Sequence, residues 1–188
     1  FIESFKISNQ PIRQISPHFS SDLRSVVADD EGTLYTVTRS KQVEKCPKSL
    51  QINKKVLTMV ELRNNNKTCM ICNDRTLNYI DWKAMKIIPS KKIPSIPVKI
   101  DSRDQNIVYI LCQNRYLYMI DMRMGRSMNI SFNRVLTPSA LTFWRQSPTI
   151  GIGFKEGLVD LFDPRVMLPF KSIVTEPVYN IEPIQRKA

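Results

Sequence analysis

Gln113-Asn114-Arg115-Tyr116-Leu117-Tyr118-Met119-Ile120-Asp121 opens with three polar residues and then alternates large side chains up to an aspartate. The apolar run Val108-Tyr109-Ile110-Leu111-Cys112 leads directly into it. Two such segments joined by a short polar stretch read as strand, tight turn, strand. Leu117 and Met119 fall on one face of the second strand and Tyr118 and Ile120 on the other. Both faces are apolar, so the strand is expected to be covered on both sides.

Outward from this stretch the pattern returns, without gaps, in three more places. Asp30-Glu31-Gly32-Thr33-Leu34-Tyr35-Thr36-Val37-Thr38, Asn73-Asp74-Arg75-Thr76-Leu77-Asn78-Tyr79-Ile80-Asp81 and Lys155-Glu156-Gly157-Leu158-Val159-Asp160-Leu161-Phe162-Asp163 align with it. Their last residues stand at 38, 81, 121 and 163, giving steps of 43, 40 and 42 residues. A period of ~40–45 residues is that of a four-stranded propeller blade. Ser25-Val26-Val27-Ala28, Thr68 to Cys72 and Thr149 to Ile152 precede the other three turns as first hairpin strands. A further strand is expected before each hairpin, around Ile12 to Ser16, Val56 to Val60, Pro97 to Asp101 and Ser139 to Trp144, with a fifth start at Val178 to Ile181. Prolines such as Pro11, Pro89, Pro138 and Pro169 fall at element edges, where a missing amide donor does least harm to a sheet.

Through these residues the chain resembles the WD-repeat family of β-propellers. The pattern Gly-Thr-apolar-x-apolar-aromatic-Asp carries the resemblance, seen as Gly32 to Thr38 and as Gly157 to Asp163. Departures are Ile80 and Ile120 at the aromatic position, Thr38 at the last position, and no Gly-His dipeptide; the family's Asp-His-Ser-Trp network is therefore not carried over. The resemblance implies an all-β fold, a propeller segment of about four four-stranded antiparallel blades within a larger ring of about seven. Blade 1 is expected at about 10–45, blade 2 at about 54–90, blade 3 at about 96–128 and blade 4 at about 138–171, with the next blade starting in 172–188. Phe1 to Phe5 would close a preceding blade, and the missing blades would come from the rest of a longer chain or from a partner.

The 188 residues carry 28 Lys+Arg against 17 Asp+Glu, a net charge of +11, and 42% apolar residues, enough for a core. That imbalance favours an acidic or polyanionic neighbour. Four cysteines do not make a disulfide-stapled secreted scaffold, and no run reaches the ~18 apolar residues of a membrane span. An intracellular location is expected, the nucleus favoured over the cytoplasm, without direct membrane contact.

No residue pattern asks for a catalytic site, a cofactor or a metal. Cys69-Met70-Ile71-Cys72 has CxxC spacing, but in a strand residues i and i+3 point to opposite faces, so the thiols diverge as buried structural cysteines. His18, the single histidine, falls in a turn after Ser16-Pro17. Asp81, Asp121 and Asp163 recur once per blade and are expected to accept backbone amides in the turns they open. Arg123 and Arg165 complete an Asp-x-Arg pattern that resembles propellers serving as substrate receptors on cullin-type ubiquitin ligases; a local ion pair or a solvated arginine is the simpler reading. Gly157 to Pro169 resembles a blade of a lipid-kinase regulatory subunit that acts in membrane trafficking. The basic residues concentrate where one blade passes to the next, led by Lys54-Lys55 and Lys91-Lys92. The chain is thus expected to be a non-catalytic scaffold for protein partners in a multisubunit complex, with nucleic acid as the alternative neighbour of a basic rim formed by Lys54, Lys55, Lys91, Lys92, Arg123 and Arg165.

Overall fold

The computed structural model describes residues 7–17, 25–38, 42–47, 50–62, 67–102, 106–132, 135–144, 148–166 and 168–181. Phe1 to Phe5, His18 and the chain past Ile181 lie outside the described residues. All sixteen elements among the described residues are strands. They form four antiparallel sheets of four strands, each in simple chain order. Blade 1 holds β1 (Ile12–Pro17), β2 (Ser25–Asp29), β3 (Leu34–Val37) and β4 (Val43–Lys45). Blade 2 holds β5 (Val56–Leu62), β6 (Lys67–Cys72), β7 (Thr76–Asp81) and β8 (Lys86–Lys92). Blade 3 holds β9 (Pro97–Ser102), β10 (Ile107–Cys112), β11 (Tyr116–Asp121) and β12 (Ser127–Ser131). Blade 4 holds β13 (Pro138–Trp144), β14 (Thr149–Phe154), β15 (Leu158–Asp163) and β16 (Leu168–Val174). The chain divides into two compact units, Phe1–Ile93 with blades 1 and 2 and Pro94–Ala188 with blades 3 and 4.

The turn between the second and third strand follows one design in every blade. Gly32, Arg75, Arg115 and Gly157 donate their N–H to the carbonyls of Asp29, Cys72, Cys112 and Phe154 at 3.2, 2.8, 3.1 and 3.1 Å. All four occupy the left-handed region, with φ of 81, 65, 64 and 82°. The geometry is a β-turn closed by a left-handed residue, which brings the two strands back into antiparallel register. A second bond repeats beside it: the N–H groups of Asp30, Asn73, Gln113 and Lys155 reach Pro11, Lys55, Ile96 and Thr137 carbonyls at 3.0, 2.9, 2.9 and 3.0 Å. Each turn is thereby tied to the segment that leads into its own blade's first strand.

Within each unit one blade lays the apolar face of its middle strands on the opposite face of the next. In the first unit, Val26, Ala28 and Leu34 of blade 1 share a core with Met70, Cys72 and Ile80 of blade 2. In the second, Tyr109, Leu111 and Leu117 meet Phe143, Ile150, Ile152, Phe154 and Phe162. Tyr109 stacks on Phe143 at 5.7 Å, and Phe132 meets Phe162 edge-on at 5.3 Å. Neighbouring first strands are also joined by single side chains: Gln14 Nε2 donates to the Leu57 carbonyl at 3.0 Å, and the Phe143 N–H donates to Asp101 Oδ2 at 2.7 Å.

Blade 4 and the segment after it depart from the repeat in two places. Leu34, Leu77 and Leu117 are fully buried, but Val159, which aligns with them, is only half-buried. Its neighbour across the ladder is Gly153, with Gly151 two residues before it on β14; neither has a side chain to enclose it. Val178 to Ile181, expected to start a fifth inner strand, is not in a strand. Val178 instead folds back on blade 4, donating its N–H to the Phe154 carbonyl at 3.3 Å and accepting from Ser139 Oγ. Its side chain fills the space that a Cβ on Gly153 would occupy.

Candidate interaction surface

Strand register decides where the basic residues gather. Val56 opens β5 opposite Cys72 at the end of β6, and Lys92 at the end of β8 lies opposite Thr76 at the start of β7. Lys54, Lys55, Arg75, Lys91 and Lys92 therefore share one end of blade 2, the end that carries the β6–β7 turn. Arg123 and Arg165 sit in the β11–β12 and β15–β16 turns, at the opposite ends of their own blades.

Two of these lysines pair with carboxylates of nearby turns. Lys54 Nζ lies 2.7 Å from Asp74 Oδ2. The hydrogen bond to Asp74 raises the Lys54 ammonium, and the same bond, with the N–H of Thr76, holds the Asp74 carboxyl down to about 2. Both shifts keep the pair charged at neutral pH; its contribution is lost as pH falls through the lowered Asp74 value and, on the other side, as pH rises through the raised Lys54 value. Lys55 Nζ reaches Asp30 Oδ1 of blade 1 at 3.2 Å, and Arg13 Nε approaches the same oxygen at 3.9 Å. Lys54 thus ties the segment leading into β5 to its own blade's turn and Lys55 ties it to the turn of blade 1, a modest stabilisation at exposed positions. Lys91 and Lys92 stand exposed on the outer strand. As successive strand residues they point to opposite sides, so they flank the edge of the blade.

The recurring aspartates close the turns that follow the third strands. Asp81 Oδ1 accepts the N–H groups of Lys83 and Ala84 at 3.1 and 2.9 Å. Asp121 Oδ1 accepts the Arg123 N–H and Asp163 Oδ1 that of Arg165, both at 2.9 Å. Each arginine then folds back on its own aspartate, Arg123 Nη2 at 2.7 Å from Asp121 Oδ2 and Arg165 Nη2 at 2.6 Å from Asp163 Oδ2. The bond from Arg123 holds the Asp121 carboxyl down to about 2. The Asp-x-Arg pattern is therefore a local two-point ion pair, with the arginine side chains still 62% and 70% exposed.

Asp29 is the residue that sequence reasoning passed over. Its carboxylate is 1% exposed and accepts the N–H groups of Glu31 and Thr33 at 3.1 and 2.9 Å and the hydroxyls of Ser8 and Tyr35 at 3.0 and 3.3 Å. The other blades hold Cys72, Cys112 and Phe154 at this place in the turn, so the repeat itself gave no sign of a polar anchor. The clue was the acidic pair Asp29-Asp30 just before Glu31-Gly32.

All four cysteines are free and buried. Burial pushes the thiols up, to about 12 for Cys69 and Cys112 and about 11 for Cys46 and Cys72, so none is a thiolate at neutral pH. Titration with an aromatic disulfide reagent is expected to give negligible thiol release from the native protein and all four thiols in denaturant. Rapid reaction of Cys69 or Cys72 under native conditions would contradict their placement.

Comparison of the chain with protein-family models and with curated proteins finds no match.

Proposed function

We propose that this chain is a non-catalytic scaffold of the WD-repeat type that holds protein partners in a larger assembly. The observation that carries the reading is the shared design of the four blades. One turn geometry and one tie to the leading segment recur in each blade, while the outer-strand residues differ from blade to blade. A frame of this kind fixes the strands and leaves loops and outer edges for recognition.

Within that reading the basic end of blade 2 is a partner surface, and Lys91 and Lys92 are its reporters. The double change Lys91→Glu with Lys92→Glu is expected to leave the melting temperature within a few degrees, since exposed substitutions usually shift stability by about 0.5 kcal/mol. Affinity isolation of the tagged chain from its own cells, with nuclease treatment, is the experiment. A stoichiometric set of proteins that survives nuclease and thins in the double variant is the expected result. A neighbour that is nucleic acid alone, lost on nuclease treatment and falling steeply with salt, would replace the scaffold by the nucleic-acid reading.

A further inference from the structure

The outer strand of blade 4 exposes what the outer strand of blade 2 does not. All seven residues of β16 are exposed, Leu168 at 64% and Phe170 at 60%, and Val166 in the turn before it at 62%. Both strands break register at a proline. In blade 2, Leu77 faces Lys91 and Asn78 faces Pro89, so Ser90 is the extra residue. In blade 4, Leu161 faces Lys171 and Phe162 faces Pro169, so Phe170 is the extra residue. A bulge re-aims its side chain; here it turns out a serine in one blade and a phenylalanine in the other.

Beside Phe170 lies an open groove of about 410 Å³, lined by the apolar Pro148, Val166, Leu168, Pro169 and Phe170 and by the Asp163–Arg165 pair. An apolar patch with a charged rim, carrying Phe and Arg, has the composition of a binding anchor. Asp163 takes the Nε and Nη2 donors of Arg165. A guanidinium has five N–H donors in a fixed fork, so its Nη1 edge can serve a second carboxylate. Asp163 and Arg165 cancel each other's charge in this pair, so the pull on a negative segment comes from Lys171, which follows Phe170, and from the net +11 of the chain. Pro169 lacks an N–H and the bulge interrupts the ladder, which disfavours pairing by an added strand. The occupant is held by side chains.

We infer that the groove formed by Val166, Leu168 and Phe170 receives an acidic, apolar peptide segment of a partner protein, with a large apolar side chain in the groove and a carboxylate on Arg165. This rests on the scaffold reading and gives one of its partners a chemistry. The test is fluorescence anisotropy of the full chain with a labelled peptide of mixed Leu, Phe and Glu, and with its Lys-for-Glu counterpart. Saturable binding of the Glu peptide is expected, weakened about tenfold or more by Phe170→Ser and by Leu168→Ser, both exposed positions where the fold is retained. Arg165→Gln is expected to weaken the Glu peptide, and Arg123→Gln, which removes the equivalent pair in blade 3, to leave it unchanged. No saturable binding to the wild type, equal binding of the Lys peptide, or wild-type affinity in both serine variants would overturn the inference. Such a failure beside an intact nuclease-resistant assembly removes this surface alone, whereas loss of that assembly removes the scaffold reading with the peptide affinity still standing on its own.

Discussion

Replacing Gly32 or Gly157 with alanine is expected to destabilise the protein by about 2–4 kcal/mol, while the same change at Gly125 costs about 1 kcal/mol. All three glycines have positive φ, at 81, 82 and 62°, so all three substitutions meet the same backbone penalty. Space separates them. A Cβ on Gly32 runs into the Lys54 backbone, its oxygen nearest and its nitrogen and carbonyl carbon at 2.7 and 2.8 Å. A Cβ on Gly157 runs into the Thr175 carbonyl oxygen, with the Glu176 carbonyl carbon at 3.3 Å. Backbone cannot move aside as a flexible side chain can, so the turn or the segment against it must shift. A Cβ on Gly125 meets nothing within 4 Å. Urea unfolding of the three variants measures the contrast; equal losses at Gly32 and Gly125 would mean that the chain at Lys54 does not lie against the first turn.

The second large effect is expected at the aligned apolar position just past each turn. Leu77→Ala and Leu117→Ala should each cost ~2–5 kcal/mol, because both side chains are fully buried and their removal leaves a cavity. Val159→Ala at the corresponding position should cost only about 1 kcal/mol, since the valine is half-buried beside two glycines and little surface is returned to water. Denaturant midpoints at constant slope check the order of the three. A loss at Val159 as large as that at Leu117 would contradict the packing described for blade 4.

The parts of the fold legible in the sequence are those buried on both faces. The runs Thr68 to Cys72, Val108 to Cys112 and their following hairpin strands could be read because apolar residues crowd them and the polar triplets between them repeat in phase. The left-handed residue in each turn was legible as glycine at Gly32 and Gly157 but hidden at Arg75 and Arg115, where the chain accepts the strain of a side chain at positive φ. The outer strands gave no such signal. Lys86-Ile87-Ile88-Pro89-Ser90-Lys91-Lys92 and Leu168-Pro169-Phe170-Lys171-Ser172-Ile173-Val174 are mostly or wholly exposed, carry a bulge, and so lack a clean alternation. On the candidate surface, sequence spacing could bring Lys54, Lys55, Lys91 and Lys92 to one end of a blade. It could not say that Asp74 and Asp30 already hold the first two, because those carboxylates come from turns 20 and 25 residues away.

Four blades repeat one hydrogen-bonded frame, and residue-resolved amide hydrogen exchange tests that repetition directly. The first central residue of such a turn ordinarily has an exposed amide that exchanges freely. Here the amides of Asp30, Asn73, Gln113 and Lys155 each donate to the segment leading into their own blade's first strand, at 2.9 to 3.0 Å. Slow exchange is expected at all four, comparable with the strand amides around them. Exchange at unprotected rates at two or more of these positions would contradict it.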